Sequence, residues 1–430
     1  MKKLKLIVSA FAFDPREPEC IEYSSGYSAW KLVEQMAGFC DVSVVTTQQY
    51  RNIILEALSE GLLAEVSIHF VNVPEGRGLF KRPFLEKYAR AAPWVRRASD
   101  YFKKVQSESD FDAAHHLYLN PELLPGFPGD SIDLPFVWGP LSGDTHRLDR
   151  QRESGQVRRF WQDGLKRTLD WINRYQSLEK KYSRSARSVL IGNPHSPPPL
   201  SKLDKRKVHI FPGYGLESIA DLNGITRRRN QGLFTIVCSG SFFRERELEW
   251  ALKCFSIFCR KFPVSELWIA GGNPEHSRCE RILRNWNLQD KASYHSFPDR
   301  SLVREKLRNG DVFLNLQKGD GEYAWIIESM GAGLPVVSLP ASSGRIIDAD
   351  WFIEVKAGTT ERMIRDTALA LENLAADKRL RNKMARSALK DAAGYTWRRL
   401  GKKLKKIYGE AFLQEEDIRF AEKGGKRFFY

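Results

Sequence analysis

The sequence predicts two doubly wound α/β domains in one chain. Three observations carry this: short apolar, β-forming runs that end in small or polar residues, segments of helical period between them, and a restart of the same alternation after a stretch of turn chemistry at 193–232. The length of 430 residues agrees, since it exceeds what one ordinary core holds.

In the first half, 4–11 reads as a strand and 42–46 as another. Between them, 28–38 places Trp30, Val33, Met36 and Ala37 on one helical face. That β-loop-α-β order opens a doubly wound sheet. Further strands are predicted at 66–71, 113–117, 135–138 and 187–191, with a long helix over 161–185. The run Asn-Pro-His-Ser-Pro-Pro-Pro and the later Pro-Gly-Tyr-Gly mark turns, and a domain boundary is placed near them. The alternation restarts with a strand at 235–239 and a helix at 245–261. Strands at 267–270, 292–297, 312–315 and 335–338 follow, separated by helices that include 301–309 and 324–332. Helices at 379–393 and 396–412 close the chain. In such sheets ligands gather at the carboxyl ends of the strands.

Hydrophobic content of 42% and aromatic content of 12% belong to a globular chain. The basic, apolar first residues meet Asp14 and Pro15 too soon for a signal peptide, and no segment reaches the ~20 apolar residues of a membrane span. The six cysteines (Cys20, Cys40, Cys238, Cys254, Cys259, Cys279) form no CxxC pair and no metal-ligand spacing with histidine, so reduced thiols and a cytoplasmic location are expected. The net charge of +15 is clustered: 81–104 holds eight basic residues among Phe84, Tyr88, Trp94, Tyr101 and Phe102, Arg227 to Arg229 form a second cluster, and a third runs from Arg398 to Lys406. Solvated helix faces explain this most simply. An anionic membrane surface, which places the protein peripherally on the inner face of the cytoplasmic membrane, is the next reading. Nucleic acid comes last, because no base-reading motif accompanies the charge.

The most informative stretch is 316–337, LQKGDGEYAWIIESMGAGLPVV. After a strand, Gly319 and Gly321 allow a tight turn whose amides meet the positive end of the next helix, which suits a phosphate or a polar sugar. Glu328 sits in an apolar run, where a carboxylate needs a partner that a diol with its two hydroxyl donors supplies. The alternative is Asp320 as a helix N-cap and Glu328 salt-bridged to a neighbouring helix.

An acid, seven residues, then Glu, followed by Ser-Met-Gly-Ala-Gly-Leu-Pro-Val-Val, resembles the E-x7-E block of the retaining glycosyltransferases of family 4, with Asp320 in place of the first Glu. Fragments 9–15, 111–116 and 134–144 are similar to a subgroup of that family with Asp at this position. The resemblance implies a GT-B architecture: two Rossmann-like domains facing a central cleft. An acceptor-side domain spans 1–210, with 396–430 packing back on it, and a nucleotide-sugar-binding domain spans 211–395. It further implies that Asp320 and the amides of Gly321, Glu322 and Tyr323 hold the donor sugar and phosphates, and that Glu328 binds the ribose. Gly240, Gly271 and Phe297 line the donor side, while Gly26 and Gly139 belong to the acceptor side. His115 or His116 sits at the reaction centre, and strand alternation lets only one face a cleft.

One departure from the family stands out. Ser241 occupies the place of a phosphate-binding arginine and Arg246 that of a lysine, with Arg244 available from the same loop. No metal and no cofactor beyond the nucleoside-diphosphate sugar is expected, and the Asp-x-Asp at 348–350 is read as a chance match. The expected reaction is sugar transfer to a saccharide or lipid-linked acceptor in surface polysaccharide or glycoconjugate assembly. The rivals are another GT-B enzyme, such as a nucleotide-sugar epimerase, and a non-catalytic binding protein.

Overall fold

A computed structural model of the chain describes residues 3–16, 25–72, 94–95, 97–105, 107, 110–117, 134–141, 185–192, 204–220, 232–239, 245–271, 276–296, 298–316, 320–339 and 349–412. Of the helix expected at 161–185, all but Ser185 lies outside these residues. The described chain falls into two units, one built from 3–16, 25–213 and 400–412, the other from 214–399.

The first unit is organised on a seven-stranded, fully parallel sheet. Its strands are β1 (Leu4–Ala10), β2 (Cys40–Thr47), β3 (Ser67–Val71), β4 (Ala113–Leu117), β5 (Phe136–Leu141), β6 (Ser188–Ile191) and β7 (Val208–Ile210), in the order β3-β2-β1-β4-β5-β6-β7. Helices α1 (Ser25–Ala37) and α2 (Arg51–Ser59) supply crossovers. β4, β5 and β6 are buried along their whole length, as parallel strands covered on both faces must be. Trp30, Val33 and Met36 are buried on α1 as its helical period predicts, and Ala37 is half-buried.

The second unit holds a six-stranded parallel sheet, β10-β9-β8-β11-β12-β13. These strands are β8 (Phe234–Ser239), β9 (Ser265–Gly271), β10 (Ala292–Ser296), β11 (Val312–Asn315), β12 (Val336–Ser338) and β13 (Phe352–Glu354). Around it run α3 (Glu245–Lys261), α4 (His276–Asn285), α5 (Arg300–Asn309), α6 (Asp320–Gly331), α7 (Thr360–Ala376) and α8 (Lys378–Ala392). The last helix, α9 (Trp397–Phe412), passes from the second unit into the first at Leu400. There its Gly401 gives the close approach to Gln35 of α1 that a side chain would block, since an added Cβ would lie 2.6 Å from Gln35 Oε1. Together these features make two Rossmann-like parallel α/β units.

Four elements depart from the sequence reading, the first being α2, since no helix is read between the strands at 42–46 and 66–71. β7 lies inside 193–232, which reads as loop because three residues (Val-His-Ile) are too few to show a period. β13 and α7 fall in the unread stretch after 338, although α7 has its own N-cap, the Thr359 side chain accepting from the Arg362 amide at 3.3 Å. Among the described residues no helix is long and apolar enough to cross a membrane.

Candidate functional site

Both sheets reverse their order at the first strand of each unit. β1 lies between β2 and β4, and β8 between β9 and β11. Chains leaving the carboxyl ends on either side of such a point diverge and leave a crevice. In the second unit that point is Ser239 paired with Asn315. Asn315 Nδ2 donates to Ser338 Oγ at 2.9 Å, and the fully buried Ser239 hydroxyl has no hydrogen-bond partner among the described residues.

Just past the end of β11, a strand of the switch point, α6 begins at Asp320, so the positive end of its dipole follows that strand. Glu328 lies eight residues along this helix, about 12 Å from its start at roughly 1.5 Å per residue. Ala324, Trp325, Ile326, Ile327 and Met330 around it are buried. A carboxylate there requires donors, and the structure supplies two. Arg300 Nη2 and the Tyr214 hydroxyl both donate to Glu328 Oε1, and Arg300 Nη2 also donates to Tyr214 Oη at 2.7 Å. Arg300 and Glu328 side chains are 7% and 12% exposed, so this ion pair is shielded from solvent and salt. The expectation of a salt bridge from Glu328 to a neighbouring helix is therefore met.

Sequence reasoning missed Arg300 and Tyr214. One signal was present: Arg300 opens α5, where the helix dipole opposes a cation, so its charge is needed elsewhere. Tyr214 comes from the Pro-Gly-Tyr-Gly turn and packs edge-on against Trp397, with ring centroids 6.1 Å apart. The segment after Tyr214 is pinned in turn. Leu216 N–H donates to Tyr395 O at 2.9 Å, and Trp397 N–H to Leu216 O at 3.2 Å. Gly331 leaves room for Leu216, whose Cδ1 would lie 2.8 Å from an added Cβ.

Of the other donor-side residues, Tyr323 lies one turn into α6, its hydroxyl 3.4 Å from that of Tyr395, and burial pushes its phenol well above the ordinary value. Gly271 ends β9, and its carbonyl accepts from the Tyr294 hydroxyl at 3.1 Å. Asp320, Gly321 and Glu322 form the first turn of α6, and Arg246 lies in the first turn of α3, by their backbone placement. Gly240, Ser241, Arg244 and Phe297 lie outside the described residues.

In the first unit the switch point pairs Ser9 with His116. His116 Nδ1 lies 2.6 Å from Ser9 Oγ, and its ring packs against Phe102 and Phe136. Burial, and then neighbouring His115, hold its imidazole well below the ordinary pKa. His115 points to the opposite face, as strand alternation requires. Its Nε2 lies 2.9 Å from the Gly139 carbonyl and its Nδ1 2.5 Å from Tyr408 Oη. A carbonyl only accepts, so Nε2 carries the proton and Nδ1 accepts from Tyr408. Burial lowers the His115 pKa from 6.5 to about 4, against a smaller rise from the Gly139 hydrogen bond, so the ring is neutral. His115 thus ties β4 to β5 and to α9.

Gly139 adopts φ +124°, and an added Cβ would lie 2.3 Å from Leu190 O. Gly26, at the start of α1, accepts from the Asp14 amide at 3.2 Å and closes the β1–α1 turn against it.

Residues 234–374 match the family model of group 1 glycosyl transferases. An uncharacterized glycosyltransferase of Haemophilus influenzae is 23% identical over 110 residues, which is 26% of this chain and 31% of that relative's length. Sucrose-phosphate synthase from Thermosynechococcus elongatus superposes with a TM-score of 0.65 at 14% identity, covering 95% of this chain and 99% of that one. HepE of Anabaena, solved in complex with UDP, gives a TM-score of 0.58 at 11% identity, covering 94% of this chain and all (100%) of that one. On these findings the chain has the two-domain GT-B fold, and its second unit carries a segment that matches the group 1 glycosyl transferase model.

Proposed function

We propose that this chain is a retaining glycosyltransferase that takes a sugar from a nucleoside diphosphate and passes it to a saccharide or lipid-linked acceptor without a metal. The observation that carries this reading is the placement of Glu328: a shielded carboxylate about 12 Å along a helix whose N-terminus opens at the switch point of its sheet. That spacing suits a nucleoside diphosphate lying along α6, with phosphates at the helix start and ribose at Glu328.

The chemistry then follows from what each group supplies. Breaking the bond at the anomeric carbon places charge on the departing phosphate and leaves an oxocarbenium-like centre. The amides of Gly321, Glu322 and Tyr323 and the α6 dipole oppose the first, with Arg246 and Arg244 adding positive charge where Ser241 replaces an arginine. Asp320 accepts hydroxyls of the donor sugar. On a retaining path the departing phosphate takes the acceptor proton on the same face.

Of the two histidines, His116 is the candidate for the reaction centre, since it borders its own sheet's switch point, whereas both nitrogens of His115 are engaged. The basic clusters suit an acceptor at an anionic membrane surface, and sugar transfer there fits surface polysaccharide assembly.

The test is a panel of UDP-, GDP- and ADP-sugars, scored for thermal stabilisation and for donor hydrolysis. Stabilisation with consumption supports the reading. A protein that neither binds nor consumes any donor refutes it, and binding with interconversion of the sugar, without transfer or hydrolysis, points to an epimerase. For the membrane site, equal and negligible sedimentation with anionic and neutral vesicles refutes it.

A further inference from the structure

We infer that Arg300 and Tyr214 are positioning residues of the donor site: they fix the Glu328 carboxylate by one oxygen and leave the other to accept from the two hydroxyls of a ribose. This rests on the donor reading above and extends it to residues outside the Asp320–Glu328 block.

The geometry of the cluster points this way. An arginine and a carboxylate placed only for stability favour the bidentate fork, two parallel bonds to two oxygens. Here one nitrogen, Nη2, serves both Glu328 Oε1 and Tyr214 Oη, and the Tyr214 hydroxyl is spent on the same Oε1. Two donors thus converge on a single oxygen. A carboxylate accepts at roughly four lone-pair sites, and both donors described on Glu328 use Oε1 rather than Oε2.

Placement is equally specific. Arg300 and Tyr214 are 7% and 6% exposed, so neither is a flexible surface group that happens to touch Glu328. Arg300 stands on the first turn of α5, against that helix's dipole, a position that costs stability unless the charge is used. Tyr214 is held from behind by Trp397 and by the paired segments at Leu216 and Thr396. Removing either donor lets the carboxylate rotate, and a diol then meets an oxygen that is no longer fixed, which lowers affinity for ribose without touching phosphate contacts.

The experiment is calorimetric binding of UDP, GDP and ADP, and of the 2′,3′-dideoxy form of whichever binds, to the wild type and to Arg300→Met, Arg300→Lys and Tyr214→Phe. The wild type is expected to prefer ribose over dideoxyribose at least about tenfold, as hydrogen bonds to a charged group require. Arg300→Met is expected to reduce that preference below about threefold, with Arg300→Lys restoring part of it because an ammonium still donates. Tyr214→Phe, which deletes one hydroxyl and keeps the ring, is expected to fall between, and it carries the test if Arg300→Met does not fold.

A purely structural role for the pair lowers the unfolding midpoint of the variants yet leaves the ribose preference at its wild-type value, and that result overturns the inference. Nucleotide binding by the wild type with no preference for ribose also overturns it, while leaving the donor reading intact. Failure of the wild type to bind any of the three nucleoside diphosphates overturns both.

Discussion

Acidification should weaken the first unit through His115, and the size of the effect follows from its surroundings. The ring is fully buried, donates from Nε2 to Gly139 O and accepts at Nδ1 from Tyr408, an arrangement that exists only in the neutral form. Its pKa is about 4 in the fold against 6.5 when exposed. Between those values the unfolded chain binds the proton and the folded chain refuses it, so stability is fully present above pH 6.5 and drains away as pH falls toward 4. A difference of 2.5 between 6.5 and about 4 corresponds to roughly 3 kcal/mol lost between pH 7 and pH 4. Carboxylates lose stability over the same range, so the readout is a difference between two proteins. His115→Gln has an amide that accepts from Tyr408 and donates to Gly139 but does not titrate. Urea unfolding followed at several pH values from 7 to 4 should show the variant losing about 3 kcal/mol less than the wild type. Equal losses in both proteins would refute the claim that a buried neutral His115 carries this dependence.

Further predictions concern single side chains. Glu328→Gln keeps an oxygen for Arg300 and Tyr214 but removes the charge, so it should cost about 1–2 kcal/mol in unfolding and shrink donor-induced stabilisation in a thermal shift assay. Gly139→Ala sets a Cβ 2.3 Å from Leu190 O at φ +124°, and a loss of about 3 kcal/mol or more, or insoluble expression, is expected. The buried Arg381–Asp311 pair, 3.7 Å apart with side chains 7% and 4% exposed, sits where the Asp311 carboxylate also accepts from the Thr235 amide at 3.0 Å. Arg381→Met should therefore cost about 3–5 kcal/mol by removing the guanidinium beside that buried charge, read as a lower urea midpoint of the second unit.

Much of the fold was legible because strands and helices of this kind advertise themselves locally. The run Leu-Lys-Leu-Ile-Val-Ser-Ala of β1 and the face Trp30-Val33-Met36 of α1 carry periods that burial on a parallel sheet imposes. The short edge strands β7 and β13 were not legible, since three residues each carry no period and pairing with a neighbour alone makes them strands. Within the site, Glu328 was conspicuous as a carboxylate in an apolar helix. Its partners were not, because Tyr214 and Arg300 stand 114 and 28 residues away in sequence.

By itself, then, the sequence determined the two parallel α/β units, a helix over 324–332, which the structure begins one turn earlier at Asp320, and the presence of an acid within its apolar run. These follow from local spacing of apolar residues and from the chemistry of single side chains. Only the tertiary structure decided which donors hold that acid, and it separated His115 from His116. Strand alternation puts the two rings on opposite faces of β4, but what waits on each face is set by distant elements. On one side Tyr408 of α9 and Gly139 of β5 close on His115, and on the other Ser9 of β1 meets His116. Contacts between residues up to 293 positions apart leave no trace in local pattern, because folding brings them together through the packing of whole elements.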